Sequence, residues 1–394
     1  MADVAGRVED EVAAARIILK GHVQGVGFRP FVYRLAHEHG LLGSVQNRLG
    51  EVEVVAVGDD RTLEQFRQDL LGKAPPLSRP SIAKFELIEA PAADSFRIVE
   101  SSAGADAQIF VPPDYFMCDD CGTELADPQD RRYGYPFITC TQCGPRYTLI
   151  ESLPYDRPNT SMAGFPLCAD CEQEYRDPAD RRFHAEPVAC PVCGPQLSFE
   201  RSDCDTIMES GDALRAAVDA IRGSEVIAVK GIGGYHLVCD ARSAAAVAEL
   251  RRRKARPDKP LAVMFPLRGN DGLGFVRREA ELQPVEADLI AGPVRPIVLA
   301  RKRDNGTLAE NVAPDLGEIG VFLPYSPLHQ LLLDEFGGPV VATSGNISGE
   351  PVLTNNEDAS ERLAAIADGF LQHDRPIVRP AVSYTHLTLP TTSP

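Results

Sequence analysis

Eight cysteines are the side chains whose spacing points most directly to a chemistry. They run Cys118-x2-Cys121-x18-Cys140-x2-Cys143 and again Cys168-x2-Cys171-x18-Cys190-x2-Cys193, the second set displaced by 50 residues from the first. The flanking text repeats as well: ADPQDRRYGYPFITCTQCGP is answered by RDPADRRFHAEPVACPVCGP. Two such knuckles supply four thiolates that close on one tetrahedral zinc. The repeat therefore predicts two structural zinc sites, with no coordination position left open for water or substrate. The alternative is that some pairs are disulfides or plain buried thiols; paired knuckles, matched spacing and an internal repeat favour zinc. His184 precedes Cys190 by six residues, but its counterpart in the first repeat is Gly134, which favours a packing or surface histidine over a ligand. Whether the knuckles pair within each repeat or across the two stays open.

A second constellation is the turn Gly21-His22-Val23-Gln24-Gly25-Val26-Gly27-Phe28-Arg29, between a strand pattern and a helix pattern. Glycines there let backbone N–H groups converge into an anion-binding nest ahead of a helix N-terminus. Arg29 adds a guanidinium fork that matches phosphate oxygens, and Asn47, in Gly43-x-Val45-x-Asn47, could orient an attacking water. A third set is dispersed: Lys254-x-Arg256-x-x-Lys259, Pro324-Tyr325-Ser326-Pro327-Leu328-His329, and Ser344-x-Asn346. Lys254, Arg256 and Lys259 could neutralise a triphosphate while Ser344 and Asn346 hydrogen-bond a nucleotide. Taken singly, Arg251 to Arg256 reads as a solvated helix end and Ser-Gly-Asn as a turn.

These groups need elements to hold them. Residues 15–102 read as strand, helix, hairpin, helix and strands, the βαββαβ order of a ferredoxin-like sandwich. Residues 110–200 carry the twin four-cysteine modules. Residues 205–381 alternate strands and helices as a twisted α/β sheet, entered through an acidic linker at RSDCDTIMESGD. Residues 1–14 are expected to be disordered, and 382–394 read as a non-native tail. The fold class is thus α+β and α/β, multidomain. Across 394 residues, 44% hydrophobic and 25% charged side chains are ordinary for a globular chain. A net charge of −17 speaks against a protein devoted to nucleic acid. No apolar run reaches membrane-spanning length and no secretory signal is visible. Cysteines gathered into knuckles, with only Cys204 and Cys239 outside them, suit a reducing, cytoplasmic location.

The first segment resembles the acylphosphatases, whose G-x-V-Q-G-V-x-F-R motif is present in full at 21–29. The resemblance implies that Gln24, Gly25, Val26, Gly27 and Phe28 form the phosphate loop. It implies that Arg29 binds the phosphoryl group and that Asn47 holds the hydrolytic water. The third segment resembles the threonylcarbamoyl-AMP synthases (YrdC-like) through its KxR…SxN set. Gly231-Ile232-Gly233-Gly234-Tyr235-His236 replaces their threonine-containing stretch, which argues against threonine as substrate. All three units in this order resemble the hydrogenase-maturation carbamoyltransferases of the HypF family. That implies hydrolysis of carbamoyl phosphate, formation of carbamoyl-adenylate and pyrophosphate from ATP with Mg²⁺, and two structural zinc ions. It also implies transfer of the carbamoyl group to a partner's C-terminal cysteine, on the way to the cyanide ligands of the nickel–iron centre. Family members continue into a further metal-binding domain for that transfer, expected to be missing here. Two rival readings are an RNA-binding zinc protein, with weak RNA binding at the basic helix end, and a stand-alone acylphosphatase.

Overall fold

The computed structural model describes residues 13–99 except 49, 113–201 except 154, and 204–380 except 348. The tail at 382–394 and residues 1–12 of the expected disordered stretch lie outside them. In chain order the first unit contains β1 (Ala13–His22), α1 (Phe28–Glu38), β2 (Leu42–Arg48), β3 (Glu51–Gly58), α2 (Asp60–Gly72), β4 (Arg79–Ile88) and β5 (Phe96–Val99). Their sheet has the order β4-β1-β3-β2-β5, with β2 and β5 parallel. Alternation along β1 and β3 turns Ile17, Leu19, Val52 and Val54 inward against Val32, Leu35, Phe66 and Leu70 of the two helices. β1 begins at Ala13, two residues inside the stretch expected to be disordered, because Ala13 and Ala14 pair with Gly58 and Val57. Gly43 opens β2 at a φ of +130°. A Cβ there would lie 2.0 Å from the Val55 carbonyl oxygen, so only glycine lets β2 close on β3.

The cysteine repeats each contribute one short helix, α3 (Asp119–Ala126) and α4 (Ala169–Arg176), and otherwise turns. The third unit holds β6 (Leu197–Arg201), β7 (Cys204–Ile207), α5 (Ser210–Arg222), β8 (Ile227–Lys230), β9 (Tyr235–Asp240), α6 (Ala244–Arg253), β10 (Val263–Met264), α7 (Val276–Glu279) and β11 (Ala280–Glu281). It continues with α8 (Pro284–Ala291), β12 (Val298–Lys302), β13 (Glu318–Phe322), α9 (Pro327–Phe336), β14 (Val340–Ser344), α10 (Asn356–Arg362) and β15 (Gly369–His373). Its ten strands run β11-β12-β13-β10-β14-β9-β8-β15-β6-β7. The expected linker is corrected here: its middle forms β7, which pairs with β6 through Phe199↔Ile207 and Arg201↔Cys204. β6, at the end of the stretch read from the sequence as the cysteine modules, hydrogen-bonds to β15. One face of this sheet shares an apolar core with the first cysteine module, where Leu125, Phe137, Ile138 and Leu149 meet Val218, Val229, Leu328 and Leu371. Cys239 is buried on the other face. Among the described residues no helix is long and apolar enough to cross a membrane.

Candidate functional site

The cysteines cluster within each repeat, which settles the pairing. Cys118 caps α3 and Cys121 lies in its first turn; Cys168 and Cys171 do the same for α4. In the first cluster the sulfur separations are 3.6 Å (Cys118–Cys140), 3.7 Å (Cys140–Cys143) and 3.5 Å (Cys121–Cys143). In the second they are 3.7 Å (Cys168–Cys190) and 3.8 Å (Cys190–Cys193), and each set of four lies within 4.8 Å. A tetrahedron with zinc–sulfur bonds of about 2.3 Å has edges of about 3.8 Å. A disulfide would need about 2.05 Å. Both clusters therefore fit tetrahedral zinc.

The glycine-rich turn forms the floor of a pocket of about 330 Å³. Gln24 Nε2 donates to the carbonyls of Arg48 (2.6 Å) and Glu51 (3.0 Å), tying the turn to the β2–β3 hairpin. Val26 and Phe28 are buried beneath it. Gly25 and Gly27 have φ of +67° and +71°, and Gly27 caps α1. Arg29, 8% exposed, and Asn47, 1% exposed, line the pocket. Among the described residues Asn47 Oδ1 has no hydrogen-bond partner, and Asn47 lines the cavity with a buried acceptor.

The rest of the wall comes from the cysteine modules. Arg146, just past Cys143, donates its Nε to the Gly25 carbonyl at 2.7 Å. Thr141, between the knuckle cysteines, packs on Gly27, where a Cβ would approach it to 3.0 Å. Arg29 Nη2 donates to Asp156 Oδ1 (2.9 Å) and to Glu186 Oε1 (3.3 Å). Glu186 Oε2 accepts from the Arg157 amide (2.8 Å) and the Tyr175 hydroxyl (2.7 Å). Burial pushes the Glu186 carboxyl above its ordinary range, opposed by the Arg29 charge. His184 packs on Tyr175 and Phe183 and also lines the pocket. Burial, then Arg29, pushes its imidazole down to about 4. Sequence reasoning missed Arg146, Asp156 and Glu186. The only trace was that two of them depart from the repeat: Glu186 aligns with Pro136 and Arg146 with Gln196.

The dispersed third set also converges. Lys254, at the C-terminus of α6, donates its Nζ to the Ser344 carbonyl and to Asn346, at 3.1 Å from both its backbone oxygen and Oδ1. The Ser344 hydroxyl donates to Asn346 Oδ1 at 2.7 Å, and Arg256 Nη1 lies 3.3 Å from the Thr343 hydroxyl. Arg256 Nε is buried without a partner among the described residues. Lys259 stands apart: its side chain is exposed, and its contribution is a carbonyl that accepts from Arg251. Burial, with Arg256 adding repulsion, pushes the Lys254 ammonium down to about 8. The basic run does not form a free patch. Arg251 is buried on five carbonyls, those of Arg256, Pro257, Lys259, Asn311 and Val312, Arg252 pairs with Glu249, and Arg253 pairs with Glu249 and Asp368.

A second pocket, of about 300 Å³, lies between the first module and the ends of β8 and β15, and its lining does not include Lys254, Arg256, Ser344 or Asn346. Lys230 reaches Asn356 Oδ1 at 2.6 Å and the His373 carbonyl at 3.0 Å. His373 Nδ1 and Arg375 Nε are buried without partners among the described residues. The Pro324–His329 run lies between the two polar groups: Tyr325 Oη is 2.9 Å from His236 Nδ1, and Ser326 Oγ is 2.6 Å from His329 Nδ1.

Comparison with known proteins gives three family matches: Acylphosphatase at 15–98, HypF finger at 117–150 and 167–200, and Telomere recombination, the Sua5/yciO/yrdC family, at 219–384. Carbamoyltransferase HypF of Synechocystis sp. is 51% identical over 364 residues, covering 92% of this chain and 47% of that protein. Carbamoyltransferase HypF of Rhodobacter capsulatus is 46% identical, covering 93% and 48%. The crystal structure of full-length HypF in the phosphate- and nucleotide-bound form superposes with a TM-score of 0.89 at 43% identity, covering 96% of this chain and 48% of that one. The chain spans about half the length of the curated relatives it matches.

Proposed function

Because the chain belongs to the HypF carbamoyltransferase family, we propose that it carries out the two opening reactions of carbamoyl transfer in hydrogenase maturation. At the first site, water attacks the phosphorus of carbamoyl phosphate and carbamate leaves with the bridging oxygen. Arg29 and the amides of Gln24–Phe28 neutralise the charge on the phosphoryl oxygens, and the Asn47 carbonyl oxygen orients the water. At the second site a carbamate oxygen attacks the α-phosphorus of ATP, giving carbamoyl-adenylate and pyrophosphate. Lys254 and Arg256 offset the triphosphate charge, Ser344 and Asn346 bind the nucleotide, and Mg²⁺ accompanies ATP. The carbamoyl group is destined for a C-terminal cysteine of a maturation partner. Zinc in the two clusters supplies rigidity only, since all four ligand positions are thiolates.

One observation carries this reading. The cysteine modules wall the phosphate-loop pocket on one side and pack on the KxR…SxN sheet on the other. Carbamate is labile in water, and enclosure between the two chemistries protects it. A stand-alone acylphosphatase would not require a second unit built into its pocket wall. The pairing of Arg251–Arg253 with carbonyls, Glu249 and Asp368 disfavours the RNA-binding reading. The experiment is phosphate release from carbamoyl phosphate, with and without ATP, for the parent, Arg29→Ala and Asn47→Ala. Loss of phosphate release in both variants supports the first reaction, and unchanged release in both rules it out.

A further inference from the structure

The repeated Asp-Arg-Arg of the cysteine modules, at 130–132 and 180–182, is unused by the chemistry above, and its placement is crossed. Arg181 of the second repeat donates Nη2 to Cys121 Sγ of the first cluster at 3.1 Å. Arg131 of the first repeat donates Nη2 to Cys171 Sγ of the second cluster at 3.0 Å. Positions 121 and 171 are equivalent in the repeat, as are 131 and 181, so each module does the same thing to the other. The neighbouring arginines complete the lock. Arg132 donates Nε to the Ala189 carbonyl (2.9 Å) and Arg182 donates Nε to the Thr139 carbonyl (3.1 Å), each one residue before a knuckle cysteine of the opposite module. Glu174 holds Arg131 and Arg132, and Glu124 holds Arg181 and Arg182. Arg132 and Arg182 are 1% and 3% exposed.

A zinc bound by four thiolates carries a net charge of −2, and hydrogen bonds from outside groups to the sulfurs stabilise that charge and hold the ligands in place. Here those donors come from the other module. Each arginine pair is held in position by a turn that follows the short helix of its own cluster, so its placement depends on its own cluster being intact. We propose that the two arginine pairs couple the zinc sites, each module stabilising the metal-bound thiolates of its neighbour. This rests on both clusters holding zinc. Linkage then works in both directions: metal lost from one module loosens the arginines that support the other.

Two measurements test it. Apo protein given one equivalent of zinc and examined by native mass spectrometry reads the coupling without any substitution. Coupled sites leave mainly zero- and two-zinc species, whereas a one-zinc species at about half of the population, the independent-site distribution, overturns the proposal. A parent that takes up no zinc defeats the zinc reading itself, and the proposal with it. The second measurement is zinc release to a chromogenic chelator, with alkylated cysteines mapped by mass spectrometry. Loss of an outer-sphere partner typically weakens metal binding about 10- to 100-fold. Arg181→Ala should therefore expose Cys118, Cys121, Cys140 and Cys143 first, and Arg131→Ala should expose Cys168, Cys171, Cys190 and Cys193 first. Arg176→Ala, an exposed arginine of α4 paired with Glu172, should match the parent. Exposure confined to the mutated module, or release at the parental rate in both arginine variants, overturns the proposal.

Discussion

Replacing Arg146 by alanine should disable carbamoyl phosphate hydrolysis although Arg146 belongs to a cysteine module. Its guanidinium is 1% exposed and donates to the carbonyls of Gly25 (2.7 Å), Cys143 (2.8 Å), Pro145 (2.9 Å), Thr141 (3.1 Å) and Cys140 (3.2 Å). Hydrogen bonds from a charged donor contribute about 1.5–3 kcal/mol each. Water entering the vacated space would satisfy some of the five carbonyls, leaving a cost of about 3–5 kcal/mol. The Gly25 bond is the one that matters for the proposed function, because it fixes a peptide of the turn proposed to bind phosphate. Loss of preorganised donors of this kind lowers rates about 10²- to 10³-fold. Arg146→Lys keeps the charge but not the fork, so it should fall between parent and alanine. The assay is phosphate release, with zinc content and thermal melting measured alongside. Arg146→Ala that still melts cooperatively with its zinc and hydrolyses within threefold of the parent would refute the reasoning.

Three further outcomes follow from the same geometry. Lys254, with its ammonium at about 8, should lose its charge as pH rises from 7 to 9, raising the KM for ATP about tenfold, while Lys254→Arg flattens that profile. Gly231→Ala should suppress pyrophosphate release at least tenfold and spare phosphate release. A Cβ there would lie 2.7 Å from Tyr325 Oη and 3.2 Å from His329 Cε1, at the pocket beside β8. His184 and His236 are both pushed by burial from 6.5 down to about 4. Between those values the unfolded chain binds more protons than the folded one, so their contribution is full above pH 6.5 and lost as pH falls towards 4. Thermal melting across pH 7 to 4 should show that decline, by up to about 3 kcal/mol for each histidine, and His184→Gln should reduce it.

The parts of the site that the sequence exposed are those where one element supplies a complete chemical pattern. Cysteine spacing translates into a tetrahedron because both knuckles of a module sit on fixed turns. The 21–29 turn reads plainly because its glycines and Arg29 are consecutive. The KxR…SxN set is visible only as a combination, since Lys254, at the end of α6, reaches Ser344, at the end of β14, across 90 residues of sequence. Lys259 shares that pattern, but its side chain is exposed. What the sequence hid is contact between units. Nothing in the text around Glu186 or Asp156 says that they will meet Arg29, or that the paired arginines cross between modules. The stretch around Cys204 looked like a linker from its acidic residues, yet β6 offered an open edge and Phe199 a partner for Ile207. Edge pairing of that kind depends on a neighbouring strand, not on local composition.

The most direct test of the account is pyrophosphate release from ATP as a function of carbamoyl phosphate, in the parent, Arg29→Ala and Lys254→Ala. The account predicts release that requires carbamoyl phosphate and is abolished by either substitution. Release that proceeds without carbamoyl phosphate, or survives Arg29→Ala undiminished, would contradict it.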